Sequence, residues 1–284
     1  MKYQVLSSIV AGTMTLAFST GTHDYKRPYH PRPNKDYTVP TVFQAAGPDI
    51  ASIQGTVDQF RAALGGVNNG NVAGPLDAGR REINWDGGGS TATSPAPTPF
   101  SGFLVTRGAL FTTPGTGFVQ APLDGLVTTF DNPDYANIFQ PFSPVRVFVP
   151  VNSNRTTVEF FVPGGGDIPA VSSGFGAIFS DVDEPDGGPQ RYGSKDASTY
   201  LRFYDAYGEL LYTSVVAPSP GDASLSFLGV LFDSPKIAKV KIVTGEVPLG
   251  PYDERRQDVV VMDDFIFGDP QPFTDDGDHD DGDD

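Results

Sequence analysis

The 284-residue chain contains no cysteine. That excludes thiol nucleophiles, thiolate metal centres, redox dithiols and disulfide staples. A chain of this length can bury enough core to do without staples. Histidine is nearly as scarce, because His23, His30 and His279 are the only three and all lie near the ends. The body between them therefore holds neither a Ser-His-Asp triad nor an HExxH zinc motif. Cations are few as well: 19 Lys and Arg stand against 35 Asp and Glu, for a net charge of −16. Phosphate backbones are held by basic residues, so a chain with this balance should be repelled by nucleic acid and anionic lipid. Past the N-terminal segment no apolar run approaches the ~20 residues that span a bilayer.

The N-terminal segment has a different character. Met1 and Lys2 give a short positive start, residues 5–18 are uncharged and mostly apolar or small, and Ser19, Thr20 and Gly21 are small. This is the order of a secretory signal peptide, so residues 1–21 are expected to be removed and the mature chain to be soluble, extracellular or at the cell surface. Residues 22–41 carry Pro28, Pro31, Pro33 and Pro40 and read as an extended linker. Asp49 is a good N-cap for a helix whose apolar stripe is Ile50, Ile53, Val57, Phe60 and Leu64, closed by Gly65 and Gly66. Turn residues dominate from 67 to 99, so 42–99 is expected to be a helix and turn-rich region packed on the main body.

From Phe100 the pattern is β. Short runs rich in Val, Phe, Ile, Tyr and Thr fall at 103–106, 145–151, 156–162, 175–180, 199–205, 210–216, 225–231, 237–243 and 259–267. Gly, Pro, Asp and Asn turns separate them, which predicts a sandwich or barrel. The expected fold is mostly β, a jelly-roll-type antiparallel sandwich over 100–268 with one short N-terminal helix. Residues 269–284 form an expected disordered acidic tail, with seven aspartates from Asp275 onward.

Two acidic groups are candidates for chemistry. In the run 259–267 side chains alternate between faces, and both faces are apolar except at Asp263 and Asp264. At least one carboxylate is then expected to be partly buried. It needs an Arg, backbone amides or a bound cation, or it acts as a catalytic acid or base. Asp181, Asp183 and Asp186 follow the run 175–180, with Gly187 and Gly188 beside them. Oxygen ligands next to glycines suit calcium, though Tyr192 stands where an EF-hand places its closing Glu. A solvated acidic turn is the plainer alternative. The expectation is one calcium site formed by Asp181, Asp183 and one of Asp263 and Asp264. Trp85, the only tryptophan, would stack on a sugar ring if exposed and pack in the core if not. Arg80, Arg81 and Glu82 read as a structural ion-pair set.

The segment 175–183, the run Leu201-Arg202-Phe203-Tyr204-Asp205, the run 227–230 and the run 263–268 together resemble the jelly-roll region of uncharacterised bacterial exported proteins, many of which end in sorting signals. No sorting helix is expected over 275–284, which is rich in aspartate. The resemblance implies a module like those that bind carbohydrate, often with a structural calcium. Three functions follow as expectations. The first is a calcium-stabilised binding module for a glycan or another surface ligand. The second is a passive structural or adhesive envelope protein. The third is a glycoside-acting enzyme using two carboxylates, though no spacing singles out such a pair.

Overall fold

A computed structural model describes residues 39–87, 89–183, 199–251 and 257–274, all within the compact unit Asp36–Asp275. The expected leader, most of the linker and the aspartate run from 275 lie outside the described residues. In chain order the elements are β1 (Thr41–Gly47), α1 (Ile50–Ala63), β2 (Arg80–Ile83), β3 (Ser94–Ala96), α2 (Leu104–Arg107), β4 (Ala109–Thr112), β5 (Gly117–Ala121), α3 (Leu123–Phe130) and α4 (Tyr135–Ile138). They continue with β6 (Val147–Val151), β7 (Arg155–Phe160), β8 (Ala170–Val171), β9 (Gly174–Ser180), β10 (Tyr200–Tyr204), β11 (Leu210–Val215), β12 (Leu225–Leu231), β13 (Lys239–Val243), β14 (Val261–Gly268) and β15 (Gln271–Pro272).

The protein is mostly β, with two main antiparallel sheets. The larger has eight strands in the order β1-β12-β9-β14-β6-β5-β3, with β2 also paired to β14. The smaller has five, in the order β11-β10-β13-β7-β4. One apolar core contains inward side chains of both sheets, as in a sandwich: Phe148, Phe175, Phe179, Leu228 and Phe265 from the larger, Phe111, Val158, Phe203 and Val240 from the smaller. The outer face of the larger sheet is covered too. Helix α1 packs there on Ile178, Phe227 and Ile266, while α3 and α4 pack on Val119, Val147 and Val261. A sheet covered on both faces reads as a nearly continuous apolar run, and β9 and β14 are buried from end to end, with Ser180, Asp263 and Asp264 their polar residues. The smaller sheet leaves its outer face to solvent, and β7 and β10 alternate accordingly.

Helix α1 shows how the sequence makes one of these contacts. Asp49 caps it as expected, its carboxylate accepting from the Ser52 N–H at 2.9 Å and the Ser52 hydroxyl at 2.7 Å. Gly65 and Gly66 both take positive φ just past its end. Its buried Phe60 rests on Gly176 and Gly229, which face one another across β9 and β12. A methyl group on Gly229 would sit 2.8 Å from the ring, so these glycines are the seat the helix needs.

Several expectations give way. Residues 103–106 are expected as a strand, but α2 takes Leu104–Arg107 with Phe103 as its N-cap, because so short an apolar run has no period of its own. The β-rich body carries α3 and α4 besides α2, so α1 is not its single helix. The region 42–99 does more than pack on the sandwich, since β1, β2 and β3 are strands of the larger sheet. The ordered body also runs past 268: Asp269 is buried and ion-paired to Arg81 at 2.9 Å, and β15 pairs with β8. Among the described residues no helix is long and apolar enough to cross a membrane.

Candidate functional site

Asp263 and Asp264 lie in β14, where its pairing with β9 slips. Val261 faces Ser180 and Met262 faces Phe179, yet Phe265 faces Ala177. Two residues of β14 therefore stand against Ile178 alone, which is a β-bulge. The bulge breaks the expected alternation and brings both carboxylates to one place, where a single hydroxyl reaches both. Ser143 Oγ lies 2.6 Å from Asp264 Oδ1 and 3.4 Å from Asp263 Oδ1.

Other donors complete the arrangement. The backbone N–H groups of Phe142 and Ser143 donate to Asp263 Oδ2 at 2.6 and 3.1 Å. Arg61 of α1 reaches Asp264 Oδ2 at 3.5 Å and also forms a two-pronged pair with Glu82. Asp86 joins from the opposite side: its Oδ1 accepts from the N–H groups of Val145 and Arg146 at 2.7 and 2.9 Å, and its Oδ2 lies 3.3 Å from Ser143 Oγ. Asp263 and Asp86 thus hold the segment 142–146 by its amides, and Asp264 holds it by the Ser143 hydroxyl. Burial, then the adjacent Asp264 charge, pushes Asp263 well above the usual carboxylate range, and burial raises Asp264 to about 6. With Asp263 only 1 % exposed, this group has no path to a glycosidic bond; it works as a clamp. Of the readings open in the sequence, pairing with amides and an Arg is the one this geometry fits.

Trp85 belongs to the same assembly. It is 1 % exposed and stacked on Phe148 at 3.8 Å, with Phe103, Phe111 and Phe265 edge-on around it. Its Nε1–H donates to the Asp263 carbonyl at 3.2 Å. The sugar-stacking expectation is therefore replaced by a core role, because neither ring face reaches solvent. Arg80, Arg81 and Glu82 are structural, as expected. Arg81 is buried, paired with Asp269 and donating to the carbonyls of Gly70, Val72 and Thr106.

Asp181 sits elsewhere. It follows β9, three positions beyond Ile178, or roughly 10 Å along the strand at ~3.3 Å per residue. Among the described residues the two groups keep different partners: Asp181 meets Ser224, Asp183 and Asp258, while Asp263 and Asp264 meet Phe142, Ser143 and Arg61. The expected shared site is thus two groups. Asp181 takes a φ of 71° and is 5 % exposed, and its N–H donates to the Ser224 carbonyl at 3.1 Å. Its Oδ1 and the Ser224 hydroxyl are both buried without a hydrogen-bond partner. Asp183 is beside it, accepting from the Gly221 N–H at 2.9 Å, and the Asp183 N–H donates to Asp258 at 3.4 Å. Burial pushes Asp181 up to about 8, with the charges of Asp183, Asp258 and Asp222 adding to the shift. Among the described residues no cation pairs with Asp181. None of them forms a ready-made set of three or more acidic or histidine metal ligands either. Asp186 lies outside the described residues.

Sequence reasoning missed Asp86, Asp258, Asp222 and Ser224 as members of these groups. No spacing signalled them, because each meets its group only through strand pairing or loop return. Glu159 is on the solvent side of β7, paired with Lys239 at 3.0 Å. No protein-family model matches the chain, and no curated protein or solved structure is significantly similar to it.

Proposed function

We propose that this chain is an exported, non-catalytic β-sandwich module of jelly-roll type, stabilised by calcium beside Asp181, that binds a glycan or another surface ligand. Export rests on the leader-like order of residues 1–21. The jelly-roll connectivity is supported by how often the chain changes sheets: β6, β9, β12 and β14 belong to the larger and β7, β10, β11 and β13 to the smaller.

The calcium reading is carried by one observation, the buried Asp181 Oδ1 that has no partner among neighbouring carboxylates. An isolated buried carboxylate is strongly disfavoured, and it either keeps a proton or gains a cation. The donors are all oxygens, which suits a hard divalent ion. Asp181 and Asp183 would hold it, and its charge would neutralise the acidic group. The test is thermal unfolding of the full chain with calcium and with a chelator. Wild type should melt lower in the chelator, and Asp181→Asn should lose that response. Both proteins keep the acidic tail, so ions bound there cancel in the comparison. Identical melting curves with and without calcium would sink the calcium reading.

A further inference from the structure

We propose that the outer face of the five-stranded sheet binds an acidic oligosaccharide, a sugar chain carrying uronic-type carboxylates. This rests on the binding-module reading above and supplies its surface and its ligand class.

Strand pairing sets out the face row by row. Thr213, Arg202, Lys241, Thr157 and Thr112 lie directly across from one another on β11, β10, β13, β7 and β4. Their neighbours Phe203, Val240, Val158 and Phe111 point into the core, so this row points out. It contains two cations and three hydroxyl groups and no aliphatic side chain. Tyr200 and Tyr204 flank it on β10, with Arg202 over the Tyr200 ring at 5.0 Å and Lys241 over the Tyr204 ring at 5.1 Å.

The charges are out of place twice over. The chain carries a net −16, yet Arg155, Arg202 and Lys241 share this exposed face. Among the described residues none of the three has a carboxylate in ion-pair range, whereas Arg61, Arg80 and Arg81 are all paired. Arg202 also stands directly across from Lys241. Like charges so placed destabilise a sheet, so this pair works against folding until an anion lies between them. Flat rings beside cations and hydroxyls match a sugar chain: the rings cover apolar sugar faces, the cations take carboxylates and the threonines take hydroxyls. A protein partner would want an apolar centre, and the central row has none. Repulsion from the rest of the molecule is screened beyond about 8–10 Å at ordinary ionic strength, so a local contact with a short acidic sugar is open.

The experiment is calorimetric titration of the full chain, at low salt and fixed calcium, with a galacturonic acid hexasaccharide. A neutral glucose hexasaccharide and an oligodeoxynucleotide of equal charge are the comparison ligands. We expect the acidic sugar to bind at least about tenfold more tightly than either. The double variant Arg202→Gln with Lys241→Gln should lose about tenfold or more of that affinity, yet melt no lower than wild type because the opposed charges are gone. Tyr200→Ala should weaken binding without abolishing it. Preference for the neutral sugar would overturn the acidic-ligand inference and leave the binding-module reading standing. Equal binding of the oligonucleotide would show charge recognition alone and overturn the sugar. Unchanged affinity in the double variant would overturn the assignment to this face.

Discussion

Two groups of buried aspartates in this protein meet the same difficulty in opposite ways. Asp263 and Asp264 are surrounded by donors: two backbone amides, a serine hydroxyl and an arginine. Asp181 has a carboxylate oxygen with no donor, and further carboxylates for neighbours. The first group is completed by the protein and clamps a loop to a sheet. The second is incomplete as built, and that is where an ion has something to add. Burial of an acidic residue is thus no guide to function by itself; the supply of donors around it is.

The largest effect that would sharpen this contrast is a pH dependence. Asp181 titrates at about 8 in the folded chain against a usual 3.8, so between those values the folded state holds a proton that the unfolded state has released. Its contribution to stability is full below 3.8 and lost as pH rises through 8. In a chelator, wild type should lose on the order of 5 kcal/mol more than Asp181→Asn between pH 4 and 9, read by denaturant titration. Calcium should oppose that loss, since it binds the ionised form. Matching profiles for the two proteins would mean Asp181 is not the strained group.

Next is the clamp. Asp263→Ala should cost about 3–4 kcal/mol, because two amides and a hydroxyl lose their acceptor in a buried site. Asp263→Asn keeps an acceptor for the amides and, like the protonated acid that burial favours, carries no charge beside Asp264, so it should cost less than about 1 kcal/mol. If the two variants unfold alike, the carboxylate group is not held by its hydrogen bonds, and the contrast with Asp181 fails.

The calcium response follows. At a hundredfold excess over Kd the ion should stabilise wild type by about 2.7 kcal/mol, and Asp263→Asn should keep that gain while Asp181→Asn loses it. A variant of the clamp that abolished the response would rejoin the two groups into one site. The smallest effect concerns Asp222, which is exposed and acts on Asp181 only through its charge. Asp222→Asn should change stability by no more than about 0.5 kcal/mol, with a slight gain at high pH in the chelator. A loss as large as that of Asp181→Asn would make Asp222 a ligand.

What depends on neighbours in the chain is legible locally. The cap at Asp49, the stripe from Ile50 to Leu64 and the glycines after it define α1 because a helix is made of contacts three and four residues apart. The strand at 225–231 was legible for a similar reason, as a short, mostly apolar run between turns. The absence of cysteine, and of histidine between residues 31 and 278, excludes whole chemistries whatever the fold. The tertiary structure decided everything that rests on pairing between distant segments. The run 259–267 reads as regular alternation, and only its register against β9 inserts the bulge that turns Asp263 and Asp264 together. Trp85 could have been a surface platform or a core ring until Phe148, Phe111 and Phe265 closed around it. Arg202 and Lys241 are 39 positions apart and unremarkable in sequence; strand pairing alone sets them face to face. Register between strands far apart in the chain is settled by which faces the whole core buries, so one strand read alone does not show which residue it will face.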